Sequence, residues 1–150
     1  MLGGTGDVWI FQTGPEEYDI LGALAALDYL RWDVKRYRSR IKVGDTALIW
    51  MSGKQGGIYA VGKVTSNPEI RGDLPKAEKY YMRESDKGQK IVNVDIEIQR
   101  KLLNSPILRT QIKEIPELQN LSIMKFAHGT NFSVTASEWK AIGALIDMQR

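Results

Sequence analysis

Two apolar stretches separated by a glycine-rich loop constrain the fold of this chain more than any other feature. The stretches TALIWMS (46–52) and IYAVGKVT (58–65) flank the loop GKQGG (53–57). β-Branched and aromatic residues favour strands, and a short glycine-containing connection between two such strands is typical of a hairpin. The loop lacks the following helix and the Lys-Ser/Thr pair of a phosphate-binding loop. The pattern therefore predicts an antiparallel hairpin and not a nucleotide site.

Strand signals recur along the chain without the regular strand–helix alternation of a parallel sheet. DVWIFQ (7–12), IVNVDIEI (91–98) and LSIMKF (121–126) are predicted strands. The second of them alternates apolar and polar residues, which is typical of an antiparallel strand with one solvated face. Together with the hairpin, these segments predict an α+β fold around a small barrel or strongly bent sheet of about five strands.

Helices are predicted between the strands and at the end of the chain. Apolar residues at helical spacing predict a helix over residues 19–30, and the Ser-Pro pair at 105–106 is typical of a helix start. Thr135 and Glu138 have the spacing of a capping box, so we expect the last helix to begin there. The segment 67–89 is rich in charge, proline and glycine and is predicted to be a long excursion, a class of loop that is often functional.

Composition excludes several classes of site. The 150 residues fit one domain, taken as residues 1–150, and contain no cysteine and one histidine. Disulfides, thiolate catalysis and cysteine- or histidine-rich metal sites are therefore excluded, and no metal or cofactor is predicted. No apolar run approaches the roughly 20 residues that span a bilayer, and the first residues do not resemble a secretion signal. We expect a cytoplasmic protein.

Positive charge is concentrated in one short segment. Residues 31 to 42 hold six basic side chains and one acidic side chain, together with Trp32 and Tyr37, in a protein of net charge +3. Cations attract phosphates irrespective of sequence, and a ring stacks on a base for about 1 to 3 kcal/mol. The segment thus indicates a nucleic-acid footprint, although a charge run is also compatible with a solvated face. The side chains expected along a nucleic-acid backbone are Lys35, Arg36, Arg38, Arg40 and Lys54.

Trp32 is the ring expected to contact a base. It follows the predicted helix and begins a polar segment where burial is not required, so we expect its indole to be at least half exposed. Unpairing a base costs a few kcal/mol. Stacking on one ring barely offsets this cost, whereas a cage with a ring on each side of the base could offset it. Tyr80 and Tyr81, in the excursion, are the candidates for a second ring. Trp50 is compatible either with the core or with the mouth of a cavity.

Several runs taken in order resemble a known family. VWIFQTGPEEYDI, RWDVKRYRSRIKVGDTALIWMSGKQGGIYAVGKVTSNPE and GTNFSVTASEW resemble the EVE domain, a member of the PUA-like superfamily that includes the YTH domains. The resemblance implies a closed or nearly closed β-barrel of five to six strands flanked by helices. It also implies an aromatic pocket that accepts a modified cytosine or adenine flipped out of nucleic acid. Related domains are specificity modules of restriction systems, so a restriction nuclease is an expected partner.

The resemblance also implies which residues form this pocket. Trp32 matches the cage tryptophan, and the main-chain amide of Asp33 is expected to face the edge of the base. The other positions that match the pocket are Gln12 and Thr13 at the end of the first strand, Trp50 and Ser52 near the end of the strand after Gly44-Asp45, and Tyr80 or Tyr81 in the excursion.

The predicted function is a non-enzymatic reader of modified bases, in DNA more than in RNA. Three alternatives remain open at the level of the sequence. One is RNA binding without preference for a modification, as in other PUA-like domains. Another is nucleoside amidohydrolysis, as in the related ASCH domains. The third is a protein-interaction module whose basic segment contacts an acidic partner.

Overall fold

A computed structural model describes residues 6–126 and 128–149. The strands of this part of the chain are β1 (Val8–Thr13), β2 (Tyr29–Asp33), β3 (Thr46–Met51), β4 (Gly57–Val64), β5 (Glu69–Arg71), β6 (Ile91–Lys101), β7 (Ile107–Leu108) and β8 (Asn131–Val134). All eight lie on one curled mixed sheet, in the order β2-β6-β4-β3-β1-β8, with β5 paired to β6 and β7 paired to β4.

Helices flank the sheet. They are α1 (Ile20–Ala26), α2 (Arg109–Ile112), α3 (Ser122–Lys125) and α4 (Ala136–Asp147), with 3₁₀ turns at Pro75–Tyr80, Glu84–Asp86 and Pro116–Leu118. The capping box predicted for the last helix is confirmed, because Thr135 and Glu138 each bond the other's main-chain amide. Within the described segments, no helix combines the length and apolar character needed to cross a membrane.

The sheet curls because its central strands contain irregularities. The predicted hairpin is confirmed as β3 and β4, and their register shifts between Ile49 and Trp50. A second shift lies between Val61 and Gly62, where β4 pairs with β6. At Gly62 a side chain would place its Cβ 2.5 Å from the carbonyl oxygen of Glu97, so only glycine allows this close approach. Such bulges bend and twist a strand, and the result is a curled, barrel-like mixed sheet, as expected from the sequence.

Two apolar clusters cover opposite faces of the central strands. On β1, Trp9 and Phe11 belong to one cluster, whereas Val8 and Ile10 belong to the other. This division follows from the period of two in a strand. The first cluster also contains Trp32, and the second also contains Trp50. The two tryptophans that the sequence linked to one pocket thus pack in separate clusters.

Three predicted elements are wrong. The helix predicted over residues 19–30 ends at Ala26, because Leu27 is already extended and Leu30 lies on β2. The segment 121–126, predicted as a strand, contains α3. The final strand is instead β8, which the sequence analysis missed. The helix predicted near residues 105–106 begins only at Arg109, after the short strand β7.

Candidate base-binding pocket and nucleic-acid interface

A cavity of about 300 Å³ lies where β1 and β2 end. This volume is at the lower limit of ordinary ligand pockets. Two walls come from the sheet and its adjoining turns. A third comes from the part of the excursion that follows β5. The lining residues are Gln12, Thr13, Glu17, Tyr18, Arg31, Trp32, Asp33, Lys35, Ile91, Asn93 and Thr130 from the barrel and its turns, and Asp73, Tyr81, Arg83, Asp86 and Gln89 from the excursion.

Trp32 lines this cavity but is almost entirely buried. Its side chain is 7% exposed, so the expectation of a half-exposed indole is wrong. The reason is that Leu30, Trp32 and Val34 alternate along β2 and its continuation and all point into the first cluster. The indole packs edge-on against Phe11, with ring centroids 6.3 Å apart. The core therefore holds the ring in one position beside the cavity.

Two tyrosines accompany the indole. Tyr81 lines the pocket, as does Tyr18, which the sequence analysis did not consider. Their ring centroids are 5.0 Å apart with the planes at 73°. Tyr80 does not line the pocket and instead packs against the first cluster. The signal for Tyr18 was available in the sequence, since it follows β1 after the short turn at Pro15.

Both pocket phenols are held neutral. Burial raises the pKa of Tyr18, and burial together with the hydrogen bond to Asp73 raises the pKa of Tyr81. The Tyr81 hydroxyl donates to Oδ2 of Asp73 at 2.6 Å, and the amide of Leu74 donates to Oδ1 at 2.7 Å. Each oxygen of Asp73 is therefore already bonded.

The excursion is attached to the barrel at a few points. The amide of Asp19 donates to the carbonyl of Tyr80 at 2.7 Å, and the amide of Met82 donates to the carbonyl of Glu17 at 3.0 Å. At its start, Arg71 donates to Asn93 and pairs with Asp95. These contacts place Tyr81 beside Tyr18.

Asp33 contributes a carboxyl without a partner. It is half-buried, and among the described residues its side chain has neither a hydrogen bond nor an ion pair. Burial raises the pKa of Asp33 to about 6; Lys35 opposes this shift, and Asp73, Asp86 and Glu17 add to it. Its ordinary value is 3.8. Asp33 therefore changes charge close to physiological pH.

Asn131, a residue that the sequence analysis missed, connects the two edges of the sheet beside the pocket. It is fully buried at the start of β8. Its Oδ1 accepts from the amides of Lys35 and Arg36 at 2.8 and 3.2 Å, and its Nδ2 donates to the carbonyl of Asp33 at 2.9 Å. The chain after Trp32 is thereby fixed against β8.

The basic segment is ordered by stacking. Tyr37 has a left-handed backbone with φ of 62°, and its ring lies 4.9 Å from that of Trp9. The guanidinium groups of Arg36 and Arg40 lie 5.1 and 5.3 Å from the centre of the Tyr37 ring. Arg38 is exposed and makes no such contact within the described residues. The segment thus presents positive charge on a partly rigid surface.

The structure separates the other predicted site residues. Gln12 and Thr13 line the pocket, and Gln12 donates to the carbonyl of Gly129 at 2.6 Å. Trp50 is 2% exposed in the second cluster and does not line the pocket. Ser52 and Lys54 belong to the turn between β3 and β4 and are not lining residues either. Of the predicted backbone contacts, only Lys35 reaches the pocket.

Comparison with known proteins identifies the family of this chain. The model of the EVE domain matches residues 7–145. The chain belongs to the EVE family. No protein with a curated description matches this EVE domain. Within the described segments, it has no group of histidine and carboxylate side chains that could hold a metal ion.

Solved structures share the fold of this EVE domain. Human THYN1 protein, in complex with 5-methylcytosine-containing DNA, is 19% identical, with a TM-score of 0.66 over 97% of this chain and 100% of that one. A hypothetical protein from Leishmania major is 21% identical, with a TM-score of 0.66 over 95% of each chain. A protein from Pseudomonas putida is 24% identical, with a TM-score of 0.65 over 92% of this chain and 98% of that one. Identities this low show a common fold.

Proposed function

We propose that this EVE domain is a binding module for DNA that carries a modified cytosine or adenine, and that the modified base enters the pocket beside Trp32. The observation that carries the proposal is the combination of a small cavity, a fixed indole wall and two neutral phenols. Flat heterocycles stack on aromatic rings, and enzymes and readers that need a base out of the duplex use such pockets.

The electrostatic surroundings support nucleic acid as the partner. The basic segment follows the pocket wall directly, since Lys35 lines the cavity and Arg36, Arg38 and Arg40 come immediately after it. Cations at the rim would meet the phosphates that flank a flipped nucleotide. The structure of THYN1 with 5-methylcytosine DNA, a protein of the same fold, favours a methylated cytosine in DNA. Cooperation with a restriction nuclease remains a prediction from the family resemblance.

The test compares two tryptophans that are both buried. Trp32→Phe changes the wall of the pocket, whereas Trp50→Phe makes the same change in the second cluster. Matched DNA duplexes with cytosine, 5-methylcytosine, adenine or N6-methyladenine at one central position are titrated against each protein. We expect the wild type and Trp50→Phe to prefer one modified duplex, within the 10- to 200-fold range that a hydrophobic pocket gives, and Trp32→Phe to lose most of that preference.

Three outcomes would contradict the proposal. Equal affinity of the wild type for every duplex would exclude a reader of these modifications. Equal effects of the two substitutions would remove Trp32 from the site. Tighter binding to matched ribo-oligonucleotides, with a steep salt dependence and no effect of modification, would identify a general RNA-binding domain.

A further inference from the structure

Resting on the proposed function, we propose that the side chain of Asp33 distinguishes 5-methylcytosine from thymine in the pocket. A reader of 5-methylcytosine meets thymine throughout any DNA. The two bases carry the same methyl group at C5 and have nearly the same outline. They differ at position 4, where 5-methylcytosine has an amino group and thymine has a carbonyl oxygen, and at N3, which carries a hydrogen only in thymine.

A pocket made only of rings cannot separate this pair. Hydrophobic pockets discriminate weakly between ligands of equal shape, whereas a site built to hydrogen-bond an N–H group strongly rejects a ligand that lacks it. The missing element is an acceptor that faces the base edge. An ionised carboxylate accepts hydrogen bonds and donates none, so a carboxylate that faces position 4 pairs with the amino group of 5-methylcytosine and repels the carbonyl oxygen of thymine.

Asp33 is a half-buried carboxyl that is free for this role. Asp86 is also half-buried and lines the cavity, but it lies in the excursion, whereas Asp33 belongs to β2 and follows Trp32. Both oxygens of Asp73 already accept hydrogen bonds, from Tyr81 and from the amide of Leu74. Glu17 also lines the cavity but is exposed, so water competes for its carboxylate. The side chain of Asp33 follows the indole wall directly and has no described partner.

The backbone that carries Asp33 is also fixed. Its carbonyl oxygen accepts from Nδ2 of Asn131, and its N-terminal neighbour Trp32 is locked in the first cluster. Because both residues line the cavity, a base held there would meet the carboxyl at a position that the backbone fixes. Such preorganisation is what makes a single hydrogen bond selective.

Protonation would change the selectivity in a definite direction. The surrounding charges have opposing effects, because Lys35 favours the carboxylate and Glu17, Asp73 and Asp86 disfavour it. Two further cations line the cavity, Arg31, which is paired with Asp95, and Arg83. Below a pH of about 6 the neutral carboxyl both donates and accepts, so it can pair with the thymine edge as well.

The experiment places 5-methylcytosine, cytosine or thymine opposite an abasic site in otherwise identical duplexes, so that no base pair has to be broken. At about pH 8 we expect the wild type to bind 5-methylcytosine at least roughly tenfold more tightly than thymine, because thymine would place an unpaired oxygen against the carboxylate. Asp33→Asn offers an N–H group to that oxygen. We expect its ratio of affinities for the 5-methylcytosine and thymine duplexes to fall to about one or to invert. Asp28→Asn, which changes an exposed carboxylate paired with Lys101, is the control.

A second measurement requires no variant. The ratio for the wild type is followed from about pH 8 to about pH 5, and we expect it to decrease as Asp33 is protonated. A ratio that stays at the wild-type value in folded Asp33→Asn, or that does not change with pH, overturns the inference. So does a wild type that prefers 5-methylcytosine over cytosine but not over thymine, and in that case the proposed function survives. No preference over cytosine would also overturn the inference, and it would contradict the proposed function as well if the first titration shows no preference for N6-methyladenine.

Discussion

Asn131 joins the last strand of the sheet to Asp33, because its Nδ2 donates to the Asp33 carbonyl oxygen at 2.9 Å. β8 and β2 lie at opposite ends of the strand order, so no backbone ladder connects them. A single amide side chain, fully buried, spans the gap with three hydrogen bonds. The spacing between two walls of the pocket therefore depends on this residue.

We expect Asn131→Ala to weaken both the protein and its base preference. The substitution leaves two amides and one carbonyl without their partner, which costs about 1 to 3 kcal/mol for each group that stays dry. Urea unfolding measures the stability, and the ratio of affinities for modified and unmodified duplexes measures the pocket. Thr135→Ala, which removes the cap of α4 and costs about 1 kcal/mol, is the control. A preference that falls equally in both variants would mean that Asn131 acts only through stability.

Asp33→Asn should stabilise the folded protein near neutral pH. The pKa of Asp33 in the folded protein, about 6, lies above its ordinary 3.8, so the folded state binds the proton more tightly than the unfolded state does. Stability is therefore lost as the pH rises from about 4 to above 6, and asparagine avoids this loss. We expect a gain of about 1 to 3 kcal/mol at about pH 7.5 that disappears near pH 4. A difference between the two proteins that is the same at both pH values would contradict the raised pKa.

Tyr81→Phe should loosen the excursion. It removes the 2.6 Å hydrogen bond to Asp73 while keeping the ring, at an expected cost of about 1 to 2 kcal/mol. The free energy of binding to the modified duplex should fall by more than the free energy of unfolding does, because the residue that lines the pocket loses its hydrogen bond to Asp73. Tyr29→Phe removes an exposed bond to Glu97 and should leave both the urea midpoint and the affinity unchanged. Identical behaviour of the two variants would show that Tyr81 is not held by its hydroxyl.

Arg38→Gln should weaken binding to all duplexes alike. This exposed side chain has no described partner, so its role would be a phosphate contact. Each lost contact reduces the slope of log affinity against log salt by about 1 and leaves the preference for a modified base unchanged. Lys140→Gln, on the exposed side of α4, is the matched control and should not alter the slope. A slope that is unchanged in Arg38→Gln would exclude this residue from the interface.

Long stretches in which apolar and polar residues alternate were the part of the sequence that predicted strands best. The alternation in residues 91–98 predicted β6, and the capping box predicted the start of α4. The same period was present around Trp32, where Leu30, Trp32 and Val34 point inward. It was missed because charged residues, Arg31 and Asp33, separate the apolar ones and because Leu30 also continues a helical spacing. Because of these charged residues, β2 was not recognised as a buried strand.

The remaining errors arise where tertiary contacts decide. Residues 121–126 contain enough apolar side chains for a strand, yet four of them form a helical turn whose Ile123 packs into the second cluster. The role of Asn131 could not be predicted from the sequence. An asparagine after a Gly-Thr pair is typical of a loop, and its hydrogen bonds form only because the opposite edge of the sheet lies next to it. Tyr81 and Tyr80 could not be ranked from the sequence, because their positions depend on how a 3₁₀ turn docks on Tyr18.

The excursion that supplies Asp73, Tyr81 and Arg83 contributes little to the interior of the barrel. Within the described chain, neither apolar cluster contains a buried residue from positions 65 to 91. The interior of the barrel is therefore formed almost entirely by residues outside the excursion, with Tyr80 packed at the margin of the first cluster. Grafting the corresponding segment of another family member between β4 and β6 would therefore replace one side of the pocket in a single step. This segment is where evolution, or protein engineering, can change the lining of the pocket while the barrel stays the same.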